Sequence, residues 1–123
     1  MNNTILVIED NEQNLYLIRF LLERNGFAVE DARTGQEGID KTLSTKPILV
    51  LLDIQLPDID GYTVARELRK GKGYEDLPIV AVTSYAMSGD KEKCIAAGCT
   101  GYIEKPINPD FFVGEIKQYL DKR

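Results

Sequence analysis

Four short stretches each place a chemically capable side chain directly after an apolar run. "TILVIED" ends on Glu9 and Asp10, "ILVLLD" on Asp53, "IVAVT" on Thr83, and "GYIEK" on Lys105. A lone buried charge is costly, so an acid that closes the apolar run Ile48 to Leu52 needs either solvent or a partner. If the fold gathers Glu9, Asp10 and Asp53, each carboxylate pair about 5 Å apart costs roughly 3 kcal/mol at an effective dielectric of about 20. A divalent cation offsets that repulsion best, and hard oxygen ligands select Mg²⁺ or Ca²⁺ over zinc. Lys105 adds a mobile cation and Thr83 a hydroxyl donor. Metal, ammonium and hydroxyl together suit the three oxygens of a phosphoryl group, and a carboxylate among them can attack phosphorus to form an acyl phosphate. Such catalysis consists of positioning and charge neutralisation. The chain has no histidine, which excludes Ser-His-Asp and Cys-His machinery and any histidine-held metal.

The elements that must position these groups are legible in the spacing. Strand-like runs are "TILVI" (4–8), "FAVEDA" (27–32), "ILVLLD" (48–53), "IVAVT" (79–83) and "GYIE" (101–104). Helical spacing fills the gaps. Leu15, Ile18, Leu21 and Leu22 share one side of a helix over 11–25 that Gly26 stops. A weaker helix spans 35–45 with Ile39 and Leu43 on its apolar side, another spans 61–70 with Val64 and Leu68, and a short one spans 88–97. The last, 108–122, starts with Asn108 as N-cap and Pro109 at the first helical position, and carries Phe112, Ile116, Tyr119 and Leu120. Five strand–helix alternations predict an α/β fold, a five-stranded doubly wound parallel sheet with helices on both faces. In such folds the site lies beyond the carboxyl ends of the strands, which is where Glu9, Asp10, Asp53, Thr83 and Lys105 fall.

With 123 residues the chain has room for one domain and one core. It is 43% hydrophobic and 28% charged, with a net charge of −5. The acidic balance argues against nucleic acid as a partner. No apolar stretch of about 18 residues marks a membrane span, and the N-terminus lacks the parts of a signal peptide. Cys94 and Cys99 are too few for a disulfide framework and read as inert apolar residues of a cytoplasmic protein. Asp58 and Asp60 read as turn and N-cap residues around Pro57 and Gly61. Glu9 and Asp10 also suit the start of the first helix. Tyr16 and Phe20 fall outside that helix's apolar stripe, and one of Phe111 and Phe112 must point away from the core.

"LVIEDN", "LVLLDIQLPDIDG", "PIVAVTSYAMSGD" and "GYIEKPI" resemble the receiver domain of two-component response regulators, from about residue 3 to residue 121. The start "ED-N", "DIQLP" and "VAVT-x-x-AM-x-GD" are similar to stand-alone regulators of the DivK type. The resemblance implies a flavodoxin-like (βα)5 receiver and a set of roles. Asp53 would be the phosphoacceptor. Mg²⁺ would be held by Glu9, Asp10, Asp53 and the backbone carbonyl of Gln55. Lys105 would pair with the phosphoryl group, Thr83 would hydrogen-bond it and move, and Tyr102 would turn inward in response. The bond before Pro106 would be cis, which X-Pro bonds allow. A histidine kinase or histidine phosphotransfer protein would donate the phosphoryl group. A downstream protein partner would read the face of the fourth helix, fifth strand and fifth helix. The acid pair is Glu-Asp where the family often has Asp-Asp, and Gln55, Ser84 and Tyr85 lie at positions that tune phosphoryl lifetime in the family.

The resemblance implies a single receiver domain over 1–123 with no effector domain expected, and therefore a switch rather than a turnover enzyme. Two alternatives stand beside it. A phosphate-independent, receiver-like binding module would keep the fold and lose the chemistry. An aspartyl-phosphate phosphatase commonly needs a second Asp two residues after the nucleophile, where this chain has Gln55.

Overall fold

The computed structural model describes residues 2–71, 73–84 and 88–121, so Tyr85 and the last residue of the expected 108–122 helix lie outside the described residues. Among the described residues the order is β1 (Thr4–Ile8), α1 (Glu12–Arg24), β2 (Ala28–Ala32), α2 (Gly35–Thr45), β3 (Leu49–Asp53), α3 (Gly61–Lys70), β4 (Ile79–Thr83), α4 (Ser88–Ala96), β5 (Gly101–Glu104) and α5 (Phe112–Asp121). All strand pairs are parallel, in the order β2-β1-β3-β4-β5. The three central strands are buried on both faces, which is why they read as continuous apolar runs.

Alternation along the strands divides the core in two. Ile5, Val7, Leu49, Leu51, Val80 and Val82 face Leu15, Ile18 and Leu22 of α1 and Phe112 and Ile116 of α5. Leu6, Ile8, Val50, Leu52, Ile79 and Ala81 face Val64, Ala65 and Leu68 of α3 and Cys94 of α4. α1 and α4 end alike: Gly26 and Gly98 take positive φ (91° and 108°), and the residue after each donates to the carbonyl five residues earlier, Phe27 to Leu22 and Cys99 to Cys94. In α4 this brings the two cysteines together in the core, and burial pushes the Cys99 thiol up to about 12.

Two helices differ from their sequence reading. In α2, Leu43 is exposed while Gly35, Gly38 and Thr42 are buried and Ile39 packs on the core. The buried stripe is selected by size: a Cβ at Gly38 would sit 2.4 Å from Ile8 Cδ1, so only small residues let α2 lie this close to the sheet. Thr42 satisfies its hydroxyl by donating to the Gly38 carbonyl at 2.8 Å. α5 begins at Phe112, not at 108. Asn108 caps a turn instead, its Oδ1 accepting from the Asp110 amide at 3.0 Å and its carbonyl from the Phe111 and Phe112 amides at 3.1 and 3.0 Å. A proline's φ suits the second position of a turn as well as the first turn of a helix, so Asn108-Pro109 is compatible with both.

Tyr16 and Phe20 are exposed on α1. Of the adjacent phenylalanines, Phe112 is 1% exposed and Phe111 is 63% exposed. Phe112→Ala is therefore expected to cost about 3–5 kcal/mol in urea unfolding and Phe111→Ala less than about 1 kcal/mol. Equal costs would contradict this placement.

Candidate functional site at the carboxyl edge of the sheet

The β ladder sets the spacing of the site. Ile8 pairs with Leu52, so Glu9 and Asp53 come level at the ends of neighbouring strands. The Glu9 amide extends the β1–β2 ladder by donating to the Ala32 carbonyl at 2.9 Å, and the Lys105 amide extends β4–β5 by donating to the Thr83 carbonyl at 2.8 Å. Tyr102 pairs with Ala81 and packs against the α3/α4-side core, and Thr83 follows two residues along that same face of β4. Asp53 and Thr83 are buried, while Asp10 and Gln55 are exposed.

Lys105 Nζ lies 3.2 Å from Asp53 Oδ2, donating to it, and 3.2 Å from Glu9 Oε1. The second contact is an ion pair without hydrogen-bond geometry, so Glu9 Oε1 is buried with no hydrogen-bond partner among the described residues. The remaining oxygens are held from the backbone: Asp53 Oδ1 accepts from the Gln55 amide at 3.0 Å, and Glu9 Oε2 from the Asn11 amide at 3.2 Å. One carboxylate oxygen from each of Glu9, Asp10 and Asp53 lies within 4.8 Å of the others. A buried oxygen without a donor, inside a cluster of hard oxygens at that spacing, fits a small divalent cation. The Lys105–Pro106 peptide is cis.

Burial pushes the Glu9 carboxyl up to about 7, Asp53 adds to the rise, and Lys105 opposes it. For Lys105 burial favours the neutral amine, but attraction to Glu9 and Asp53 outweighs it and holds the ammonium above its usual range. At neutral pH the site therefore holds one firmly charged cation among three acids.

A strand-end acid cluster closed by a lysine on a 2-1-3-4-5 parallel sheet can be compared with known proteins. The family described as response regulator receiver domain matches residues 5–117. The chain belongs to the response regulator receiver family. Similar proteins include the polar-differentiation response regulator DivK of Brucella ovis, 39% identical over 120 residues, with 98% of each chain covered. Among solved structures, a CheY-like receiver domain protein from Methanospirillum hungatei superposes with a TM-score of 0.91 at 32% identity, covering 99% of this chain and 96% of that one. The receiver domain of a sensor histidine kinase from Pseudomonas aeruginosa superposes with a TM-score of 0.90 at 29% identity, covering 98% of this chain and 99% of that one; its structure has a magnesium ion coordinated in the active site cleft.

Within this receiver the five residues picked out at strand ends come to one edge of the sheet, and Tyr102 on β5 pairs two residues before that edge. The Lys91 ammonium stands 5.8 Å from the Tyr102 ring centroid. The cap of α1 is Asn11, whose Oδ1 accepts from the Asn14 amide at 2.9 Å, rather than Glu9 or Asp10. Asp60 is the N-cap of α3, accepting from the Thr63 amide at 2.9 Å. Asp58 does more than shape a turn: its carboxylate accepts from the first two amides of α2, Gly35 at 2.7 Å and Gln36 at 3.0 Å, and the Gln36 and Gly35 amides hold it below the usual carboxylate range. Nothing in the sequence joins position 58 to 35 and 36, because α2 and β3 lie between them.

The raised Glu9 pKa has a sign that can be tested. A carboxyl near 4.5 unfolded and about 7 folded stabilises the fold when protonated, and that contribution fades as pH rises through 7. Without metal, Glu9→Gln is expected to be more stable than the parent at pH 8, by about 1–3 kcal/mol. The gap should close near pH 4.5. Thermal unfolding in EDTA across that range checks it; a destabilised E9Q at pH 8 would refute the cost of burying the charged carboxylate beside Asp53.

Proposed function

We propose that the chain accepts a phosphoryl group on Asp53 from the phosphohistidine of a histidine kinase or histidine phosphotransfer protein, in the cytoplasm, and signals through its altered surface. The observation that carries this reading is the geometry around Lys105, whose Nζ is 3.2 Å from both Asp53 Oδ2 and Glu9 Oε1. That places a fixed positive charge beside the only buried aspartate of the cluster. Glu9, Asp10, Asp53 and the Gln55 carbonyl would hold Mg²⁺, for which the donorless Glu9 Oε1 leaves a ligand position. When bound, the ion supplies charge neutralisation at the carboxylates and at the incoming phosphoryl oxygens.

The chain's own groups then have defined tasks. An Asp53 carboxylate oxygen attacks phosphorus, the phosphorus–nitrogen bond of the donor breaks, and the imidazole leaves with its electron pair. Lys105 turns from the Asp53 carboxylate to the phosphoryl oxygen that takes on charge. Thr83 donates its hydroxyl to another phosphoryl oxygen. Its displacement frees space on the face it shares with Tyr102, and the tyrosine turns inward. The outcome is read on the surface of α4, β5 and α5, and between β5 and α5 a groove of about 460 Å³ is lined by Tyr102, Pro106, Phe111 and Glu115. Repeated turnover has no general acid of its own, since Gln55 stands where an aspartyl-phosphate phosphatase would place its second Asp. The reading is therefore a switch, not a turnover enzyme.

Incubation with acetyl phosphate and Mg²⁺, followed by intact-protein mass, tests it. The parent should gain one labile phosphoryl group and Asp53→Ala none, with EDTA abolishing uptake. Lys105→Ala should slow uptake by about 10²-fold or more, the scale for losing one charge-stabilising group. Label retained on D53A would move the nucleophile elsewhere; a folded, Mg²⁺-loaded parent that takes phosphate from neither acetyl phosphate nor a kinase would favour a phosphate-independent binding module.

A further inference from the structure

The loop between β3 and α3, residues 54–60, is clamped in three places. At its base the Gly61 amide donates to the Ile54 carbonyl at 2.9 Å. At its exit Asp60 caps α3. At its outer turn Asp58 reaches a different element, with Oδ1 accepting from the Gly35 amide at 2.7 Å and Oδ2 from the Gln36 amide at 3.0 Å. These amides belong to the first turn of α2, whose donors have no partner inside the helix. α2 nevertheless has its own cap, because Thr34 Oγ1 accepts from the Glu37 amide at 3.1 Å. Starting the helix does not depend on Asp58. Next to these bonds Ile59 lies against bare glycine: a Cβ at Gly35 would sit 2.4 Å from Ile59 Cγ1 and 2.8 Å from Val64 Cγ2. A polar grip and an apolar fit thus lock the loop to α2 in one register.

We propose that Asp58 is a positioning residue for the cation site: by gripping the first two amides of α2 it holds residues 54–59 so that the Gln55 carbonyl is presented to the Glu9, Asp10 and Asp53 carboxylates. This rests on the functional reading above, in which that carbonyl is a ligand. An outside anchor matters because the local bonds, from the Gly61 amide to the Ile54 carbonyl and from the Gln55 amide to Asp53, fix the peptide before Gln55 and not the one that carries its carbonyl. Gln55 is exposed, and among the described residues its amide is tied only to the carboxylate of Asp53, itself a ligand. A carbonyl carries no net charge, so its value to an ion depends on distance and direction. Mg²⁺ tolerates little drift, requiring near-octahedral ligands at about 2.0–2.1 Å. α2, which packs on the sheet at Gly38 and is also buried at Gly35 and Thr42, is a stiff anchor outside the carboxylate cluster.

Titration of the full chain with Mg²⁺ alone, by calorimetry, tests this in the parent, Asp58→Ala, Asp58→Asn and Gly35→Ala. D58A should raise the Kd for Mg²⁺ roughly tenfold, the effect of losing a group that orients a ligand. D58N keeps one acceptor oxygen and should fall between. G35A attacks the same register from the other side, pushing on Ile59, and should also raise Kd. At saturating Mg²⁺ the rate of D58A phosphorylation by acetyl phosphate should return to near the parent's, since no group that touches the phosphoryl has changed. A role confined to capping α2 would lower the Tm and leave the Mg²⁺ Kd at the parent value, which overturns the proposal. If D58A does not fold, D58N and G35A decide by the same titration. A parent that binds no Mg²⁺ overturns the functional reading along with it, whereas parent-like affinity in the variants overturns only the role of Asp58.

Discussion

Two carboxylates, Glu9 and Asp53, are held almost out of water at the ends of adjacent parallel strands, and one ammonium, Lys105, stands between them. Two like charges in a buried site repel strongly, and one cation cannot fully satisfy both. The imbalance appears in a Glu9 oxygen that has no donor among the described residues, and burial together with Asp53 pushes the Glu9 carboxyl up to about 7. The arrangement is tolerable because the surrounding core is large and independent of it, with an apolar layer on each side of the sheet. A site poised this way responds sharply to any added positive or negative charge, which is the property a charge-driven switch needs.

Each charged group is also wired to a different part of the fold. Glu9 accepts from the Asn11 amide at the start of α1. Asp53 opens the loop that Asp58 ties to α2. Lys105 follows β5 and precedes the turn, built on Asn108, that leads into α5. Thr83 and Tyr102 occupy the sheet face that packs on α3 and α4. A change of charge at this one edge therefore bears on elements of both layers. In the proposed function this wiring links phosphoryl chemistry at Asp53 to the surface of α4, β5 and α5.

The sequence by itself determined the class of fold and the chemical content of the site. Strands buried on both faces must be apolar throughout, so β1, β3 and β4 announce themselves as runs, and the polar residue that ends each run must lie at the sheet's edge. Glu9, Asp10, Asp53, Thr83 and Lys105 come to one edge because a parallel sheet brings all carboxyl ends to one side. Tertiary structure alone decided what apolarity does not encode. Leu43 faces solvent because α2 approaches the sheet through small residues, and close approach is a matter of volume rather than hydrophobicity. α5 starts late because Asn108-Pro109 serves a turn as well as a helix, and only the path of the chain out of β5 chooses between them. The bond from Asp58 to α2 was illegible for the same reason: a carboxylate in a turn will accept from whichever amides the fold brings to it. Local sequence sets what a residue can bond, and only the packing of distant segments sets what it does bond.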